Sequence, residues 1–178
     1  MRAEYLIAVT LIAVAVIAAL AGLAMGPQWR VSASATVAAP PAKVIAYLSD
    51  FRTWRRWSVW NKRHFPRSRF SYRGGRRGVG AEQVWNVGPT TTVWHILKVD
   101  NDRIDYRRQT NDGPIRHGRF RARPRGGGSR LTWAVSGRSG INPYDRLIAW
   151  FYSGRIRDHL RAGLKGIQRH FAGAGGSS

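Results

Sequence analysis

From residue 82 to 137 the chain repeats one pattern: a run of seven to ten residues suited to a strand, then a turn. The runs are 82–88, 91–99, 103–110, 115–124 and 129–137, separated by Gly88-Pro89, Asp100-Asn101-Asp102, Asn111-Asp112-Gly113-Pro114 and Gly126-Gly127-Gly128. Connections this short join antiparallel neighbours, so the segment reads as a meander. The clearest alternation sets Arg119, Arg121, Arg123 and Arg125 against Phe120 and Ala122, one face towards water and one towards an interior. Residues 28–37 alternate as well, with Trp29, Val31, Ala33, Ala35 and Val37 against Arg30, Ser32, Ser34 and Thr36. A twisted sheet of this size buries its concave face only by curling around a partner. Asn142-Pro143-Tyr144-Asp145 starts that partner, with a cap, a proline in first position and an acid at the positive end of the helix dipole. Leu147, Phe151, Ile156, Leu160, Leu164, Ile167 and Phe171 then supply an apolar stripe. The expected fold class is α+β: a curved antiparallel sheet of about six or seven strands around a long C-terminal helix.

Between the first strand and the meander, Pro41 opens a helix carrying Val44, Ile45 and Leu48, and Asp50 caps a second short one. Phe51, Trp54, Trp57, Trp60 and Phe65 follow, the tryptophans three apart and so on one side of a helical turn. The arginine- and glycine-rich stretch from Arg67 to Gly80 reads as a basic loop.

Ahead of all this, Tyr5 to Met25 is a run of 21 residues without a charge. As a helix it is about 31 Å long, near the thickness of a bilayer core. The run exceeds the roughly 7–15 apolar residues of a signal peptide, although Ala19-Leu20-Ala21 leaves cleavage as the competing reading. Gly26-Pro27 ends it. The expected organisation is an anchor over residues 1–26, a ligand-binding domain over 27–172 and a disordered tail over 173–178. The expected location is a membrane crossed once, a bacterial inner membrane. Arg2 on one flank and Arg30 and Lys43 on the other nearly balance, so the sequence assigns the soluble domain to neither side.

A net charge of +21, from 30 Lys and Arg against 9 Asp and Glu, draws the chain towards polyanions. Arginine greatly outnumbers lysine, and alanine and glycine abound, as a GC-rich genome produces without any binding role. Anionic lipid head groups suit a tethered domain better than nucleic acid, for which no helix-turn-helix or zinc-finger pattern is present. The absence of cysteine excludes disulfides, thiolate metal sites and thiol nucleophiles.

Ala39-Pro40-Pro41-Ala42-Lys43-Val44 followed by Asp50-Phe51-Arg52-Thr53-Trp54-Arg55-Arg56-Trp57-Ser58 resembles the opening of the polyketide cyclase/dehydrase and lipid-transport family, in the START-like (SRPBCC) superfamily of helix-grip folds. Gly78-Val79-Gly80-Ala81, Trp85, Leu131-Thr132-Trp133 and the long final helix extend the resemblance across residues 28–172. It implies a cavity between sheet and final helix that holds a hydrophobic small molecule or lipid, without implying one chemistry. Candidates to line that cavity are Trp54, Trp57, Trp60, Trp85, Trp94, Tyr106, Phe120, Trp133, Phe151, Leu160 and Leu164, since aromatic walls suit a large apolar ligand. For any single one of these positions, ordinary packing within the core is the competing explanation, and the case for a cavity rests on the number of tryptophans taken together.

Catalysis finds little support. His64, His95, His117, His159 and His170 lack metal-ligand spacing, no nucleophile elbow is present, and Gly78-Val79-Gly80 opens no phosphate-binding helix. Neither a metal nor a cofactor is expected. Glu82 and Asp105 lie on strands, and burial would raise a carboxyl pKa into a usable range. The leading reading is a membrane-anchored protein that binds a lipid-like ligand. The alternatives are a cyclase- or hydratase-type enzyme using a cavity acid such as Glu82, and a basic interaction module.

Overall fold

The structure, a computed structural model, describes residues 2–174. Helix α1 (Arg2–Ala24) precedes β1 (Gln28–Val37) and two short helices, α2 (Pro41–Leu48) and α3 (Phe51–Trp57). The strands β2 (Arg69–Arg73), β3 (Glu82–Val87), β4 (Thr90–Val99), β5 (Arg103–Thr110), β6 (Arg116–Arg125) and β7 (Gly128–Arg138) follow, and α4 (Pro143–Ala174) closes the chain. One seven-stranded antiparallel sheet has the order β1-β7-β6-β5-β4-β3-β2. The meander thus runs from β2 to β7, and β1 returns to pair with β7, Gln28 opposite Arg138 and Val37 opposite Ser129.

Strand β2 corrects the reading of Arg67 to Gly80 as loop. Phe70 and Tyr72 are half-buried and alternate with exposed Arg69, Ser71 and Arg73. Three charged or polar side chains on an edge strand keep it from pairing with other chains, and they also hide its period in the sequence.

The short helices start as their residues require. Pro41 stands at the first position of α2, where its missing N–H costs nothing. The Asp50 carboxylate accepts the Arg52 N–H at 2.9 Å and caps α3. Both helices cover one end of the concave face, burying Val44, Ile45, Leu48, Phe51, Trp54 and Trp57.

Helix α4 lies across the same face. Leu160, Leu164, Ile167 and Phe171 are buried, and Gln168 Nε2 donates to the Thr36 carbonyl at 2.9 Å, tying the helix to β1. Close approach is set by small residues: a β-carbon on Gly163 or Gly166 would run into Trp133 or Trp57. The helix continues through Ala174, into the stretch expected to be tail, and residues 175–178 lie outside the described part.

The first turns of α4 leave the sheet and meet α1. Gly22 packs against Pro143, the Tyr144 hydroxyl donates to the Ala15 carbonyl at 3.0 Å, and Arg146 Nη1 donates to the Met25 carbonyl at 3.0 Å. A cation on the last carbonyls of α1 satisfies groups the helix leaves open and complements its dipole. Helix α1 is long and apolar enough to cross a membrane, and its Leu, Ile and Val side chains are exposed along its length.

Candidate functional site: a cavity between the sheet and the last helix

Most of the concave face is filled. Trp54 stands edge-on to Tyr106 at 5.2 Å and to Phe120 at 5.7 Å between ring centres. Trp57 meets Trp133 edge-on at 5.5 Å, and Phe120 stacks on Trp133 at 4.8 Å. The indole of Trp54 donates to the Leu48 carbonyl at 2.8 Å, and that of Trp133 to the Tyr106 hydroxyl at 2.8 Å. Trp54, Trp57, Phe120, Trp133 and Leu164, all expected as cavity walls, are instead core at this end. Offset and edge-on aromatic packing leaves no room for a guest.

The filling stops at Tyr106. Beyond it, a cavity of about 310 Å³ opens between β4–β7, Trp60 and the middle of α4. Of the candidates named from the sequence, Trp60, Trp94, Tyr106 and Leu160 line it, beside Val135 and Ile156. Gly118 makes the floor possible, because a β-carbon there would occupy the Tyr106 ring. Trp85 sits behind Trp94, 6.3 Å away and edge-on to Phe65, outside the cavity.

Phe151 is 81% exposed and lines nothing. At about 100° per residue, the five-residue step from Phe151 to Ile156 turns the side chain about 140° around the helix. The stripe therefore breaks there, and only its later part faces the sheet.

The polar members of the cavity were not foreseen. Arg108 lies on the concave side of β5, in the parity of Ile104 and Tyr106, and pairs across the strands with Trp94 and Arg116. Its guanidinium carbon is 5.1 Å from the Trp60 ring centre and 5.5 Å from that of Trp94. Burial and the neighbouring Arg116 pull Arg108 down to about 10, against a smaller opposing pull from Tyr106. Burial pushes the Tyr106 phenol far above its ordinary range, more than Trp133 and Arg108 draw it down. Tyr152 and Arg155, both exposed, stand at the mouth, and His159 packs edge-on to Trp60 at 6.1 Å. The alternation of Ile104, Tyr106, Arg108 and Thr110 was the signal that could have found Arg108.

The carboxylates considered for catalysis lie elsewhere. Glu82 pairs across strands with His95, Oε1 to Nδ1 at 2.7 Å, on the face of β3 and β4 opposite Trp94. Asp105 is on the convex face, held by Arg119 at 2.5 Å and Arg103 at 3.3 Å. No carboxylate lines the cavity among the described residues, so the expectation of Glu82 as a cavity acid is overturned by the side of the sheet it occupies.

A larger concavity, about 1170 Å³, is an open groove on the outside of α3 and the end of α4, where Arg52, Arg55, Arg56, Arg63 and Arg169 face a single carboxylate, Asp50.

Residues 28–172 match the family described as polyketide cyclase / dehydrase and lipid transport. The chain belongs to that family. Solved structures of the same fold include the KanY protein (17% identity, TM-score 0.60, covering 83% of this chain and 99% of that one). The Aha1 dimer from Colwellia psychrerythraea is similar at 11% identity and a TM-score of 0.58, covering 80% of this chain and 96% of its own. DynU16, from the dynemicin biosynthetic locus, is 15% identical with a TM-score of 0.57, the match covering 80% of this chain and 47% of that one. Among curated proteins none matches the sequence. At these identities the likeness establishes the helix-grip fold alone.

Proposed function

We propose that this family member binds a hydrophobic small molecule in the cavity beside Tyr106 while α1 holds it in a membrane. The observation that carries the reading is the hollow itself: a chain that packs Trp54, Trp57, Phe120 and Trp133 without gaps leaves about 310 Å³ open among Trp60, Trp94, Ile156 and Leu160. A partly enclosed space that combines aromatic and aliphatic walls with convergent polar groups has the form of a small-molecule site. Leaving it empty forfeits the dispersion contacts of its walls, so a ligand gains them.

The membrane half of the proposal rests on continuity of apolar surface. Helix α1 exposes its aliphatic side chains throughout, and beside it α4 exposes Ile148, Trp150, Phe151 and Tyr152, with Ile141 just ahead. Water-exposed apolar surface on this scale is costly, whereas bilayer hydrocarbon and its interface accept it. The cavity mouth at Tyr152 and Arg155 follows directly along α4, which gives a lipid-phase ligand a short way in.

The test is native mass spectrometry of the full chain released from lipid nanodiscs, with membranes washed in alkaline carbonate as the companion assay. Retention in washed membranes and a copurifying apolar compound, lost when Leu160→Trp fills the cavity, are the expected results. Release by carbonate defeats the anchor, and a chain that never carries a ligand defeats the cavity reading.

A further inference from the structure

We propose that the cavity selects an organic acid, its anionic head held by Arg108 and its apolar body lying against Trp60, Trp94 and Leu160. This rests on the reading of the cavity as a small-molecule site and adds the chemical class.

On the convex face three sheet arginines meet acids: Arg103 and Arg119 share Asp105, and Arg121 pairs with Asp102 at 3.1 Å. Arg108 is placed differently. It points into the concave interior, where its polar contact is a long one, Nη2 to Thr110 Oγ1 at 3.5 Å. Among the described residues it makes no ion pair, and its cross-strand neighbour is a second cation, Arg116. Two tryptophan faces flank the guanidinium. They offset part of its lost hydration and hold its plane in place, but they accept no conventional hydrogen bond. A desolvated cation facing a like charge favours whatever anion reaches it. The five N–H groups of a guanidinium form a planar fork that matches a carboxylate or phosphate by two parallel hydrogen bonds. Arg155 at the mouth adds a third positive charge, and no acid in the lining competes. The volume of about 310 Å³ is at the small end of ligand sites, which fits one chain or a compact ring system better than a two-chain lipid.

The experiment titrates the full chain in neutral phosphatidylcholine nanodiscs with dodecanoate, dodecyl phosphate and dodecanol, read by tryptophan fluorescence. These share one apolar body and differ in head: carboxylate, phosphate or neutral hydroxyl. The two anions are expected to bind about tenfold or more tightly than the alcohol, since charge-assisted hydrogen bonds in a partly dry site discriminate at that level. A chain of charge +21 attracts any anion, so the decisive comparison is with Arg108→Met, which should bring the ratio of anion to alcohol affinity down to about one. Arg108→Lys should restore part of the preference. Equal binding of acids and alcohol by the natural chain, or a preference that survives Arg108→Met, overturns the proposal and leaves Arg108 as packing. Binding of none of the three sinks the cavity reading instead. If Arg108→Met does not fold, by circular dichroism, Arg108→Gln takes its place in the same comparison, with the same two outcomes.

Discussion

Tyr106 marks the boundary between packed core and open cavity, and its own chemistry follows from that place. Its ring fills the space Gly118 vacates, its hydroxyl accepts the Trp133 indole proton, and burial holds it neutral well beyond the ordinary phenol value of 10.0. A raised acid pKa has a definite sign in stability. Below the unfolded value both states keep the proton and the fold is at full strength; above it only the unfolded chain ionises, so stability falls as pH climbs past 10. Tyr106→Phe should therefore show a shallower alkaline loss than the natural chain when thermal unfolding is followed by near-ultraviolet circular dichroism from about pH 8 to about pH 11. At neutral pH the same variant should be less stable by about 1–3 kcal/mol, because the Trp133 indole N–H loses its partner inside the core. An unchanged alkaline slope would mean that the phenol titrates normally. Reading residues one at a time in the sequence found this tyrosine and its tryptophans but could not divide them between wall and core. All are aromatic, those on strands are concave by parity, and only the relative position of α3, which brings Trp54 and Trp57 over Phe120 but leaves Trp60 at the rim, separates them.

Helix α4 is one element with two environments, and its glycines report both. Gly166 lies on the sheet side, where a β-carbon would meet the Trp57 carbonyl oxygen at 2.6 Å; Gly154 faces open space, with nothing within 4 Å. Alanine at the two sites should act in opposite directions. Gly166→Ala must lift the helix from α3 and is expected to cost about 1–3 kcal/mol, the usual range for overpacking. Gly154→Ala clashes with nothing and should add up to about 1 kcal/mol through helix propensity. Melting both variants beside the natural chain checks the assignment, and a stabilising Gly166→Ala would mean that α4 does not dock through this seam. The sequence made the meander and α4 legible because turn residues and a strong amphipathic stripe punctuate them. It hid β2, whose alternation of Phe70 and Tyr72 is swamped by flanking arginines and glycines. It also blurred the first half of α4, where the apolar residues continue while the angle between Phe151 and Ile156 breaks. Apolar content recorded burial of some kind; the angle decided against what.

Taken whole, the molecule has its longest runs of exposed apolar side chains on α1 and at the start of α4. Helix α1 and the start of α4 touch through Gly22, Tyr144 and Arg146, and from that contact α4 carries Ile148, Trp150, Phe151 and Tyr152 outwards before its stripe turns to the sheet. If α1 lies in a bilayer, these side chains sit at or near the interface, where tryptophan and tyrosine are favoured because one end of each ring is apolar and the other polar. The chain then supplies its own probe. Of its 8 tryptophans, Trp54, Trp57, Trp85, Trp94 and Trp133 are buried and Trp29 and Trp60 half-buried, whereas Trp150 is 62% exposed. In vesicles of lipids brominated on the acyl chain, the full chain should lose a share of its fluorescence relative to ordinary lipid, because bromine quenches only rings it can touch. Trp150→Phe should remove most of that lipid-dependent quenching while leaving the emission of the buried rings in place. Quenching that survives the substitution would put a different face of the domain on the bilayer, and its absence from the natural chain would lift the start of α4 away from the lipid. The outcome also bears on access: with Trp150 in the interface, the cavity mouth at Tyr152 and Arg155 lies within about a turn and a half of the helix from it, and a ligand could pass from bilayer to cavity with little exposure to water.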